Sequence, residues 1–173
     1  MPGSPASSLD DEETAAWFGF LTAHALLTRE MDALLVAGHG MPLVEYEVLL
    51  KLSLAGGRLR MSDLAEVALL SRSGLTRIVD ELESLGLVRR EPDAGDRRVL
   101  LATLTPLGRR RLAAARRTHL DGVRRLFLER LTPAQRTAMA QGWSSILGPL
   151  RDAGPQRRGQ RGRRPAPSGA ARR

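Results

Sequence analysis

The chain has 173 residues, with 26 Arg against a single Lys, 19 acidic residues, no Cys and a formal net charge of +8. That length fits one ordinary domain with its own hydrophobic core, and the missing cysteine excludes a disulfide framework, a thiolate metal site and a thiol redox switch. No apolar run approaches the roughly 18 to 20 residues that span a bilayer, and Met1-Pro2-Gly3-Ser4-Pro5 lacks a basic region followed by an apolar stretch, so a soluble, cytoplasmic chain with no membrane partner is expected.

Residues 1–9 (MPGSPASSL) hold too little apolar surface to offset their ordering and are expected to be disordered. The acidic cluster Asp10 to Glu13 suits the start of a helix, where the macrodipole favours negative charge. From Thr14 to Val36, Trp17, Phe20, Leu21, Leu27, Met31, Leu34 and Leu35 recur at the spacing of one helical face, with His24 as its polar member. A helix over about 13–37 would run roughly 35 Å, about the diameter of a small domain, so part of its stripe is expected to pack on a second subunit. Gly38 to Pro42 ends it, and a second helix over Leu43 to Leu54 turns Leu43, Tyr46, Leu49, Leu50 and Leu54 inward before Gly56-Gly57 closes it. Up to residue 57 the chain is strongly acidic, with a net charge of −6.

Arg58-Leu59-Arg60 is short enough to be a loop or a brief strand. Ser62 is suited to cap a short helix over Asp63 to Ala68, and Ser71 to cap a fourth helix that faces Leu75, Ile78, Val79, Leu82 and Leu85 inward and stops at Gly86. The period then falls to two: Leu87 to Glu91 and Val99 to Leu104 read as strands joined by the turn-rich Pro92 to Arg98. Thr105-Pro106 opens a long helix to about Arg130, with Leu112, Ala115, Leu120, Val123, Leu126 and Phe127. Thr132-Pro133 repeats that start for a last helix with Met139, Trp143, Ile146, Leu147 and Leu150. Residues 58–117 carry a net charge of +5, and residues 154–173 hold seven Arg, no acid and no large apolar side chain, a composition expected to stay disordered. Most of the headline charge therefore belongs to the tail, and the body is nearly neutral.

Two short helices about a tight turn, followed at once by a hairpin, make a winged helix-turn-helix plan, with the lobe at about 57–105. The second helix of such a pair enters the DNA major groove, and its outward face here is Arg72, Ser73, Thr76, Arg77 and Asp80. Arg bonds bidentately to guanine, whereas adenine readout needs Asn or Gln; this helix has neither. Arg72 or Arg77 is thus expected to read guanine, with Ser71, Ser73 and Thr76 fixing the phosphate register. Arg97 and Arg98 at the hairpin tip are expected to enter a narrowed minor groove, with Asp96 or Asp93 orienting a guanidinium.

The same stretch of sequence resembles the MarR-type winged helix-turn-helix regulators. The resemblance spans roughly residues 14–150 and is carried by Leu64-Ala65-Glu66, then Leu70-Ser71-Arg72-Ser73-Gly74-Leu75-Thr76-Arg77, Leu82-Glu83, Gly86-Leu87-Val88-Arg89-Arg90, and the wing-like run from Asp96 to Thr105. Leu69 stands where many members have Gly, and a branched side chain disfavours a left-handed backbone there. The resemblance implies a mainly α fold with a small β-wing, its domain at 10–153, and a homodimer joined through helices at about 13–37 and 106–150. It also implies a transcriptional regulator, most often a repressor, that binds a palindromic operator in double-stranded DNA. Many such regulators are released by a small aromatic or anionic effector held between the dimer helices and the DNA-binding lobe.

Other functions find less in the sequence. There is no phosphate-cradling Gly loop ending in Lys, no Gly-x-Ser-x-Gly elbow and no Glu and His pair at metal-binding spacing, so no catalytic residue, metal or cofactor is expected. His24, His39 and His119 lack ligand spacing. A hydrogen-bonded core position is the expected role of His24, and lining an effector pocket is the alternative for it and Trp17. The competing reading is a winged-helix protein-interaction module whose basic tail lends sequence-independent affinity for nucleic acid.

Overall fold

The backbone N–H of Asp10 bonds the Glu13 carboxylate while the Asp10 side chain accepts from Glu13 N, a reciprocal capping box that starts helix α1 (Asp11–His39) three residues ahead of Thr14. The computed structural model describes residues 8–152; the segments 1–7 and 153–173, on which most of the two expected disordered ends fall, lie outside the described residues. After α1 come α2 (Leu43–Leu54), β1 (Arg58–Arg60), α3 (Met61–Val67), α4 (Arg72–Ser84), β2 (Val88–Pro92), β3 (Leu100–Leu104), α5 (Pro106–Leu126), a single 3-10 turn (Leu128–Arg130) and α6 (Pro133–Asp152). The fold is mainly helical with one small sheet, as the sequence predicts. It divides into two units, one ending at Arg130 and the other beginning at Leu131.

In the first unit the three strands form an antiparallel sheet in the order β1-β3-β2, with Leu59 opposite Ala102 and Arg90 opposite the same residue from the other side. Its core gathers Leu35, Tyr46, Leu49 and Leu52 with Leu64, Leu75, Val79 and Leu82, then Val88, Leu104 and Leu112. Removing each of these side chains from water is worth about 1.5 to 3 kcal/mol. Every element from α1 to α5 therefore contributes to one apolar interior.

The joints between elements are polar and specific. Gly40, left-handed at φ 59, closes α1 by donating to the carbonyls of Leu35 and Val36. Pro42 has no side-chain cap to offer α2, and Asp32 of α1 supplies one, accepting from Leu43 N at 2.8 Å. Thr105 caps α5 by accepting from Gly108 N and donates in turn to the Gly86 carbonyl at 2.7 Å, which fixes the end of α4 against the start of α5. His39 Nε2 and Thr118 Oγ1 lie 2.7 Å apart, and Arg111 donates to the His39 carbonyl, so α5 also holds the far end of α1.

Several expectations need correction. Ser62 does not cap α3: that helix begins two residues earlier than expected, at Met61, directly after β1, with Arg60 in the cap position, and the Ser62 hydroxyl donates to Asp63 instead. Leu54 and Leu85 are exposed rather than inward, because each lies where a helix ends and its last turn has rotated away from the core. His24 is exposed and not a core residue; its ring lies 6.2 Å from that of Phe20, and Trp17 is half exposed on the same half of α1. Only Met31 and Leu35 of this helix are buried. In the second unit, Thr132 and Gln135 form their own reciprocal cap at the start of α6, which carries exposed Ile146, Leu147 and Leu150.

Candidate nucleic-acid interface

Helix α4 separates its chemistry by face. Leu75, Ile78, Val79 and Leu82 are buried, while Arg72, Ser73, Thr76, Arg77 and Asp80 are exposed, the division expected of a helix packed on one side and open to a polyanion on the other. Ser71 occupies the cap position, its Oγ accepting from Gly74 N at 3.0 Å and lying 3.3 Å from Ser73 Oγ. The Thr76 hydroxyl donates back to the Arg72 carbonyl at 2.9 Å. Among the described residues the guanidinium groups of Arg72 and Arg77 make no hydrogen bond or ion pair, so both are free to engage a ligand.

Asp80 differs from its neighbours on this face. It pairs with Arg90 of β2, whose guanidinium also reaches Glu83 at 3.2 Å and donates to the Thr76 carbonyl, while the Arg90 backbone N–H donates to Glu83 at 2.7 Å. Arg90 is largely covered, with its side chain 20% exposed. It clamps α4 to the wing strand, a role hidden in the sequence because its partners lie seven to fourteen residues upstream.

The wing tip is held by its own acids. The Asp93 carboxylate accepts from the backbone N–H groups of Gly95 and Asp96, and these bonds, Gly95 first, hold its pKa below the ordinary 3.8. Asp96 accepts from both the backbone and the side chain of Arg98, at 3.1 and 3.2 Å. Of the two expected orienting acids, then, Asp96 contacts a guanidinium, that of Arg98, and Asp93 shapes the turn. Arg97 is exposed and, among the described residues, its side chain makes no hydrogen bond or ion pair.

On the adjoining sheet, Glu91 lies between Arg89 and Arg58 and accepts from the Thr103 hydroxyl at 2.8 Å; that hydroxyl chiefly, then the two arginines, keeps its pKa low. A recess of about 310 Å³ opens beside the start of α4, lined by Met61, Ser62, Arg72, Leu75 and Thr76.

Behind this surface, His119 of α5 stacks on Tyr46 of α2 with ring centroids 4.5 Å apart, and its buried Nδ1 has no hydrogen-bond partner among the described residues. Burial, and secondarily Arg116, lowers the His119 pKa from its usual 6.5. Glu45, next to Tyr46 in sequence, is buried, and burial together with the Glu81 charge raises its pKa against the opposing effect of Arg111. Sequence spacing gave no sign of this pair of α2 and α5 groups. Trp17 and His24 lie elsewhere, on the exposed half of α1. Among the described residues no group of three His, Asp or Glu is placed to hold a metal ion, and no single helix is long and apolar enough to cross a membrane.

Comparison with known proteins bears on the same elements. A family model described as MarR family matches residues 39–99, the span from the end of α1 to the wing tip. The chain is 34% identical to AbsC, a MarR family transcriptional regulator from Streptomyces coelicolor, over 85% of this chain and 99% of that one, with a TM-score of 0.78. It is 36% identical to Sco3205, a MarR family regulator from the same organism solved in complex with DNA, over 83% and 94% of the two chains, with a TM-score of 0.77. The transcriptional regulator BldR from Sulfolobus solfataricus is 25% identical over 80% and 96%, with a TM-score of 0.71. No curated protein matches.

Proposed function

The chain belongs to the MarR family of transcriptional regulators, and from that premise we propose that it is a homodimeric, sequence-specific repressor that reads a palindromic operator through α4 and its wing. The observation that carries this reading is the α4 face, where Arg72 and Arg77 are exposed beside the Ser71 cap and unpaired among the described residues. One Arg reads guanine, Ser71, Ser73 and Thr76 set the register on the phosphates, and Arg97 and Arg98 follow the minor groove from the wing tip, with Asp96 steadying Arg98. Support also comes from the DNA-bound state of Sco3205, at 36% identity. The exposed Trp17, Phe18, Leu21 and Leu26 of α1 supply an apolar surface for a second copy.

A small aromatic or anionic effector completes the proposal, binding between the dimer helices and the DNA-binding lobe and releasing the operator. The direct test is a binding titration on promoter DNA next to the protein's own gene, with protection mapping. Tight binding to one protected palindrome and weak binding to scrambled duplex are expected; equal affinity for both would overturn the reading. Removing residues 154–173 separates it from the interaction-module alternative. Operator preference survives in the shortened chain if α4 reads sequence, and all binding vanishes if the tail alone supplies it.

A further inference from the structure

Leu69, in the turn between α3 and α4, is the one residue other than Gly with a positive φ among the described residues, at 55°, and it is 93% exposed. A left-handed backbone is unfavourable for a branched side chain, and this side chain recovers nothing by packing. The turn is closed by Leu69 N donating to the Glu66 carbonyl and Leu70 N to that of Ala65, backbone bonds that glycine would make equally well. Nothing in the fold therefore requires leucine here, and strain without a folding return points to a use in binding.

We propose that Leu69 is a specificity-determining contact whose side chain packs on an apolar nucleotide face of the bound DNA, a thymine methyl or a deoxyribose. The inference rests on the reading of α4 as the helix that enters the groove. Leu69 lies two residues before the Ser71 cap, at the N-terminal end of α4, the end from which a recognition helix reaches base edges. On the α3 side its exposed neighbours are Glu66 and Val67, and on the α4 side Ser71, Arg72 and Ser73; the α4 side, which faces the groove in that reading, is a polar and cationic setting that suits a polyanion. On a duplex, the thymine methyl is the apolar group offered in the major groove, and the sugar is the apolar part of the backbone beside it.

The test uses the full chain and the duplex it selects from a randomised pool. Leu69→Gly relieves the backbone and Leu69→Asn tolerates it, so both variants are expected to keep a Tm at or above that of the parent while binding the selected duplex about tenfold more weakly. Replacing half-site thymines by uracil sorts the two nucleotide sources. A loss in the parent that disappears in the variants assigns the methyl; variant losses independent of uracil assign the sugar. If a preferred duplex emerges and both variants bind it like the parent, the Leu69 contact is overturned while the reading of α4 stands. If the pool returns no preferred duplex, the reading of α4 falls first. A lowered Tm in Leu69→Gly would place the leucine in the fold, and a changed solution mass in both variants would place it against a second copy; either result overturns the proposal.

Discussion

Arg72 and Arg77 are valuable as single residues because no group among the described residues pairs with them. A base-reading arginine carries about 1 to 3 kcal/mol of discrimination, so Arg72→Ala or Arg77→Ala is expected to lower operator affinity by roughly ten- to a hundredfold at whichever position reads guanine. A phosphate-bonding arginine would instead weaken all sequences alike and reduce the salt slope by about one; titrations at several salt concentrations distinguish the roles. A different residue-scale effect follows from His119. Its lowered pKa means that the unfolded chain takes up a proton more readily, so stability is full above the usual 6.5 and declines as pH falls through that value. Denaturation at pH 7.5 and 5.5 is expected to show that decline, and His119→Phe, which keeps a ring on Tyr46, to flatten it. The outward arginines were legible in the sequence because helical period alone sorts the faces of α4. His119 was not, because its stacking partner lies 73 positions away in another helix.

The joint between α4 and the wing is where single changes act on whole elements. Arg90→Ala removes the guanidinium that bonds Asp80, Glu83 and the Thr76 carbonyl, and with those partners partly exposed the loss is expected to be about 1 to 2 kcal/mol. Denaturant titration reads that loss, and operator affinity is expected to fall with it because α4 and the wing then lose their fixed relative orientation. Gly108→Ala is expected to be more severe, at about 2 to 4 kcal/mol, since a Cβ there would overlap the Leu87 carbonyl and crowd Leu104. Local signals located most of these elements: Ser71 and Thr105 cap the helices they were expected to cap, and Gly86, left-handed at φ 68, ends α4. They failed where a distant group intervenes. Asp32 caps α2 from another helix, and the sheet pairing of Arg58 to Arg60 with β3 sets the start of α3 ahead of Ser62.

At the scale of the whole molecule, α1 carries apolar surface that the rest of the first unit leaves exposed. Trp17 and Leu21 lie one turn apart, 51% and 41% exposed. Sedimentation is expected to give the mass of two chains, and Trp17→Glu with Leu21→Glu the mass of one, with operator affinity lost because two half-sites are no longer read together. The periodicity of α1 revealed that stripe, but a helical period does not tell how much of its length the rest of the fold covers; burial begins only at Met31, so His24 was misplaced. The capping box that starts α1 has a further effect on encounter with a duplex. Asp10 to Glu13 stand about 30 Å along the helix from Met31, where burial begins, several times the screening distance of roughly 8 Å in physiological salt. Their charge is therefore too remote to cancel the field of the basic lobe, yet joined to it through one continuous helix, so the described residues carry an acidic end set apart from a basic one. The field of a duplex is expected to exert a torque on that charge separation that turns the basic lobe inward before contact, and charge reversal at the acidic end is expected to slow association while leaving the dissociation rate unchanged.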